Sequence, residues 1–121
     1  MDRGRKITGG KYHKQRKKKL YERQSHERSV ILGPQKKKQL RVRGGAVKTI
    51  LLQSNIANVV SGKKVQKAEI LNVELTPQNQ FLARQNRLLK GAVIETSLGK
   101  ASITNRPTQE GHVNAILLQQ K

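Results

Sequence analysis

Cysteine and tryptophan are absent, proline occurs three times, and Tyr12, Tyr21 and Phe81 are the only phenyl-type rings. Without thiols there is no disulfide framework and no thiolate metal site, a composition compatible with a reducing compartment. With so few rings, a core has to be assembled from Val, Ile, Leu and Ala. Acids are scarce too: seven Asp and Glu stand against 26 Lys and Arg, for a net charge of +19. The longest apolar runs, such as Ile50-Leu51-Leu52 and Ala115-Ile116-Leu117-Leu118, fall far short of the roughly 20 residues that span a bilayer as a helix. The basic N-terminus lacks the apolar stretch of a secretory signal. These absences predict a soluble, intracellular protein with no membrane partner.

What is present is positive charge, unevenly spread. Sixteen of the Lys and Arg lie in the first 45 residues, against Asp2, Glu22 and Glu27, so this stretch carries +13; the remaining 76 residues carry +6. A segment of that charge repels itself and cannot close on a core of its own. It calls for a polyanion, and phosphate backbones are the abundant one. At 121 residues there is room for a single small domain. The expected division is a basic extension over residues 1–38 and a folded module over 39–121.

The extension is punctuated by Gly4, Gly9-Gly10 and Gly33-Pro34 and carries the runs Arg16 to Lys19 and Lys36 to Lys38. It is expected to be coil when free, with a short helix from about Lys14 to Glu27 available once phosphates neutralise it. From Gln39 the texture becomes short β segments separated by glycine turns. Strands are expected at Leu40 to Arg43, Val47 to Gln53, Asn55 to Val60, Val65 to Leu75, Leu89 to Ser97, Ala101 to Asn105 and Val113 to Gln119. The apolar phase slips between Ile70 and Leu71, which predicts a bulge. A short helix within Pro77 to Leu88 would bury Phe81, Leu82 and Leu88 and leave Arg84 and Arg87 outside. Residues 106–111 read as a loop. The fold class is therefore mainly β, a small antiparallel barrel-like module with a long basic N-terminal extension that lacks its own core.

Lys and Arg neutralise phosphates and release condensed counterions. Tyr12 and Tyr21 are suited either to stacking on unpaired bases or to packing on the module. Thr8-Gly9-Gly10-Lys11 does not have the spacing of a P-loop and reads as a flexible joint beside phosphate. Arg41-Val42-Arg43-Gly44-Gly45 would set two guanidiniums on one strand face beside a turn that lets backbone approach RNA. The extension supplies the candidate RNA contacts Arg3, Arg5, Lys6, Lys11, Tyr12, His13, Lys14, Arg16, Lys17, Lys18, Lys19, Tyr21, Arg23, Lys36, Lys37 and Lys38. The module supplies Arg41, Arg43, Gly44, Gly45, Lys48, Arg84, Arg87, Lys100 and Arg106. His13, His26 and His112 are not at metal-ligand spacing. Glu69, Glu74, Glu95 and Glu110 are too scattered for a paired-carboxylate site. No nucleophile and base are set beside one another, so no catalysis, cofactor or small-molecule substrate is expected. Charge alone leaves open a DNA-compacting chromosomal protein or a general RNA chaperone.

The strings in order narrow this choice. T-G-G-K (Thr8 to Lys11), Y-H-K-x-R-K-K (Tyr12 to Lys18), R-V-R-G-G (Arg41 to Gly45), A-N-V (Ala57 to Val59), K-G-A-V-I-E-T-x-L-G-K-A (Lys90 to Ala101) and T-N-R-P-x-Q-E-G-x-V-N-A (Thr104 to Ala115) together resemble the e-type S-eight family of archaeal and eukaryotic small-subunit ribosomal proteins. The match runs over nearly the whole chain and looks like the short archaeal form. Ala46 departs from the Asn often found after R-V-R-G-G, and Arg87 stands where an apolar residue is expected. The resemblance implies a non-enzymatic constituent of the small ribosomal subunit. It implies partners in small-subunit rRNA and in other ribosomal proteins, a barrel-like module, and an extension without fixed shape when free.

Overall fold

Five short strands close on one another because their apolar residues recur with the period of a pleat. In a computed structural model, which describes residues 4–24 and 26–118, β4 (Ile56–Ser61) turns Ala57 and Val59 inward and β5 (Lys64–Leu75) turns Ala68, Ile70 and Val73 inward. Strands β6 (Val93–Thr96), β7 (Gly99–Ile103) and β8 (Asn114–Leu117) add Ile94, Ala101, Ile103 and Ala115. Alanine at four of these inward positions lets so few strands meet around a narrow interior. The strands form a closed barrel in the order β4-β5-β6-β7-β8. Sequential neighbours are antiparallel, and the closing pair, β4 with β8, is parallel from Asn58↔Asn114 to Val60↔Ile116.

The slip expected in β5 is present. The register with β6 shifts between Ile70 and Asn72, and Leu71 is 58% exposed between buried Ile70 and Val73. A second shift, between Val73 and Leu75, has no counterpart in the sequence pattern. The tight β6–β7 turn is held by Thr96, whose buried hydroxyl donates to the Gly99 carbonyl (2.7 Å).

Three further strands form a second sheet, ordered β1-β3-β2: β1 (Ile31–Leu32), β3 (Val47–Ser54) and β2 (Lys36–Arg41). Strand β1 runs parallel to β3 and β2 antiparallel to it. Val30 and Leu51, both at 0% exposure, belong to the same apolar cluster as the barrel interior. The Leu88 amide donates to the Val30 carbonyl (2.8 Å) and the Leu32 amide to the Asn86 carbonyl (2.9 Å), so this sheet is stitched to the segment that enters the barrel. Ordered β structure thus begins well before Gln39. Lys36, Lys37 and Lys38, read in the sequence as extension, pair with Gln53, Leu51 and Ile50 of β3. A run of lysines hides strand character because the strand is exposed on both faces, and pairing, not burial, places it.

Two local expectations are corrected. The helix in the 76–88 region is α1 (Gln80–Arg84), capped by Asn79, whose side chain accepts from the Phe81 amide. Its buried residue is Ala83, while Phe81 is 64% exposed with the Arg84 guanidinium over its ring at 5.6 Å. Residues two apart point to opposite sides of a helix, so Ala83 and Phe81 cannot both face in. The expected loop at 106–111 contains a helical turn, α2 (Pro107–Glu110), ended by Gly111 in the left-handed conformation. Within residues 14–27 the described residues hold one 3-10 turn, Leu20–Glu22. Among the described residues no helix is long and apolar enough to cross a membrane.

Candidate nucleic-acid interface

The N-terminal cations come first in the chain and are uniformly exposed. Residues 4–24 have no buried member, and their side-chain hydrogen bonds stay within the segment. Thr8-Gly9-Gly10-Lys11 is not an open joint. The Lys6 amide donates to the Gly10 carbonyl (2.8 Å), the Gly9 amide donates back to Lys6 (2.9 Å), and Arg5 and Lys11 bridge across the turn. Lys6 lies 5.7 Å from the Tyr12 ring centre. Tyr12 and Tyr21 are 53% and 77% exposed, so neither ring is spent on packing against the module. His13, Lys14, Lys17, Lys18, Lys19 and Arg23 are exposed as well. Arg16 is engaged within the chain: its guanidinium grips both oxygens of Glu22, which also accepts from the Lys19 amide (2.9 Å). The Arg16 contact, then the Lys19 amide, hold the Glu22 carboxyl below its ordinary range. Arg3 lies outside the described residues.

The second group sits on the β2–β3 ribbon. Lys36, Lys37, Lys38, Arg41, Arg43 and Lys48 are all exposed, as is every residue from Arg41 to Thr49. The chain reverses through a 3-10 turn at Arg43–Gly45, with Gly44 and Gly45 at φ +80° and +78° and the Val42 amide donating to Ala46 (2.9 Å). The two guanidiniums expected on one strand face are therefore placed differently: Arg41 ends β2, and Arg43 opens the turn. Positive φ at both glycines is what forces the strand to stop.

The third group is on the barrel side. Arg84 covers Phe81. Arg87 is half-buried and its backbone bridges to Ile31, so it partly serves the joint between sheet and barrel. The Lys100 ammonium binds Glu74, which raises its proton affinity; of the module's candidates it is the one already paired. Arg106 is exposed and precedes α2.

That corner of the module is built around Asn105. Its buried amide donates to Glu110 Oε2 (3.0 Å) and to the His112 carbonyl (2.8 Å), and its oxygen accepts from the Asn114 amide (3.0 Å). The bond from Asn105 leads the contacts that lower the Glu110 carboxyl below its usual range, with the Arg106 amide and His112 adding to it. His112 lies 3.8 Å from Glu110, a pair without a third donor. No group of three or more metal-ligating side chains occurs among the described residues.

Arg28 and Lys90 are functional candidates that sequence reading misses. With Lys48 and Arg106 they line one groove between β3 and the segments around α1 and α2. No spacing along the chain announces this, since residues 28, 48, 90 and 106 meet only through the tertiary fold.

The arrangement suits a rigid module that presents cations on several sides and a cationic leading segment that rests on nothing of its own. Comparison with known proteins points the same way. Residues 2–118 match the sequence model of the family described as Ribosomal protein S8e. Similar proteins include one from Methanocorpusculum labreanum, 43% identical over 117 residues, covering 95% of this chain and 94% of that protein. Another, from Ignicoccus hospitalis, is 41% identical over 121 residues, covering 97% and 93%, and a third, from Methanocella arvoryzae, is 40% identical over 116 residues, covering 94% and 93%. All three are named small ribosomal subunit protein eS8.

Proposed function

The chain belongs to the ribosomal protein S8e family, and from that premise we propose that it is a structural, non-enzymatic constituent of the small ribosomal subunit in the cytoplasm that binds and braces small-subunit rRNA. The observation that carries this reading is the state of its cations. Among the described residues the ion pairs are Arg16–Glu22, Lys100–Glu74 and His112–Glu110, which leaves the lysines and arginines of the leading segment and of the β2–β3 ribbon exposed and, Arg16 apart, without acidic partners. Such a charge array in a small fold disfavours compaction through self-repulsion and is relieved when phosphates replace water and counterions.

Two kinds of element divide the work. The module docks as a preformed body, and the ribbon brings Lys36, Lys37, Lys38, Arg41, Arg43 and Lys48 to one projecting hairpin. The leading segment threads between RNA helices, where a thin cationic strand lowers phosphate repulsion without needing a thick protein core. Ordering it costs on the order of 1–2 kcal/mol per residue, offset by charge-assisted contacts of Lys and Arg with phosphate. The Arg16–Glu22 pair presents little barrier, since exposed ion pairs contribute about 0–1 kcal/mol. Recognition rests on shape, 2′-hydroxyls and phosphates, because side chains cannot read the narrow A-form major groove. Its neighbours are other proteins of the same subunit.

The test is binding to a small-subunit rRNA fragment across a salt series, for the whole chain and for a chain lacking residues 1–24. The whole chain is expected to lose affinity steeply with salt, the logarithmic slope counting the phosphates neutralised at about 0.9 each for duplex. The shortened chain is expected to bind more weakly with a flatter slope. Equal slopes refute the role of the segment, and co-sedimentation with DNA in place of small subunits refutes the ribosomal assignment.

A further inference from the structure

A groove of about 520 Å³ runs between the end of the leading segment, β3, the stretches flanking α1, and α2. Arg28, Lys48, Lys90 and Arg106 line it, with Glu27 as the one carboxylate along its wall among the described residues. None of the four cations is ion-paired among the described residues. Between them half-buried Leu82 and Leu89 form an apolar patch, beside the polar side chains of His26, Gln78, Thr108 and Gln109. The rims are tied in place: the Gln78 side-chain amide donates to the Lys90 carbonyl (2.8 Å) and the Thr108 hydroxyl to the Arg28 carbonyl (3.3 Å). The volume falls within the roughly 300–1,000 Å³ of sites that hold one small organic group. Its chemistry is mixed, with an apolar patch and polar side chains that suit the face and edge of a base and cations that suit the anion attached to it.

We propose that this groove seats a single unpaired nucleotide of the bound RNA, its base against Leu82 and Leu89 and its flanking phosphates on Lys48, Lys90 and Arg106. This rests on the RNA-binding reading and deepens it, naming which form of RNA is taken and where. A regular duplex keeps its bases stacked inside and offers a concave site only phosphates, whereas a bulged or looped base can be turned out of the stack. The apolar patch then has an occupant, and Lys48, Lys90 and Arg106, drawn from positions remote in the chain, have theirs.

Amide spectra of the isotope-labelled whole chain test this. The probes are a ten-nucleotide single-stranded oligoribonucleotide of mixed sequence, a blunt RNA duplex of equal length, and an acidic peptide. The single strand is expected to move the amides of Ile50, Leu89 and Thr108, and the duplex to leave them in place while moving those of Lys11 to Arg23. In the variant Lys48→Ala/Lys90→Ala, whose replaced side chains are exposed, the groove shifts are expected to vanish and single-strand affinity to fall about tenfold at low salt, with the rest of the spectrum superimposable. A second pair, Lys48→Gln/Lys90→Gln, serves if the alanines disturb the fold. Equal groove shifts with duplex, occupation by the peptide but not the oligonucleotide, or shifts unaltered in the variants overturn the proposal. Silence of both groove and leading-segment amides towards every RNA overturns the RNA-binding reading itself.

Discussion

Asn105 is the residue on which most depends locally. Its side chain makes three hydrogen bonds from a buried position and holds α2 against the start of β8. Asn105→Ala strands the Asn114 amide and the His112 carbonyl, and thermal unfolding is expected to show a loss of about 1–3 kcal/mol. Its partner Glu110 adds a pH dependence of definite sign. The carboxyl is held below its ordinary range in the folded chain, first by Asn105. The stability it contributes is therefore complete above the unfolded carboxyl's range and is lost as pH falls through the lowered value. Melting temperatures measured from neutral pH downward are expected to drop less for Glu110→Gln, which keeps an acceptor but does not titrate, than for the native chain. Gly111 follows with φ +76°, and a Cβ there would stand 3.2 Å from the Thr49 carbonyl oxygen. Gly111→Ala is expected to destabilise by about 1–2 kcal/mol from the backbone conformation alone, read as a lowered denaturation midpoint. Arg41 and Arg43, by contrast, are exposed. Replacing both by Ala is expected to leave stability within about 0.5 kcal/mol while lowering the salt slope of rRNA binding by about 2, one for each phosphate no longer neutralised. If the double variant melts early, these arginines are structural.

At the scale of elements, the strand from Lys36 to Arg41 decides where a shortened protein still folds. Removing residues 1–24 takes away only exposed side chains among those described. Removing residues 1–38 also removes Val30 from the core, β1 from one side of β3, and half of β2 from the other. The first chain is expected to melt cooperatively near the native temperature. The second is expected to be severely destabilised, which calorimetry of the two would separate. The expectation that the folded unit starts at Gln39 rests on composition, and composition is a poor guide where a strand is wet on both faces. Elements with one dry face were legible: the barrel strands, the turn after Ser61, and the bulge beside Leu71 each left a mark in the alternation of apolar residues. The orientation of α1 was not, because a five-residue helix is too short to show a period and the smaller Ala83 took the core position that Phe81 suggests. The candidate binding face is marked in the sequence by charge and not by geometry. Lys and Arg counts pointed to phosphate, but the pairing of Lys100 with Glu74 and the convergence of Arg28, Lys48, Lys90 and Arg106 depend on residues far apart in the chain.

For the whole molecule, the parallel contact between β4 and β8 governs when the fold can finish. The hairpins β4–β5 and β6–β7 join near neighbours, yet Asn58 meets Asn114 across 56 positions. Contacts this distant form late, after the loop-closure entropy has been met. During synthesis the cationic front leaves the exit tunnel long before residues 114–117 exist, so β4 waits with one hydrogen-bonding edge open. Such edges invite pairing between chains. A released chain that ends at His112 is therefore expected to be recovered in the pellet and the full-length chain in the supernatant. Timing of manufacture, as much as affinity for its target, would then decide how much of the polypeptide reaches a usable state.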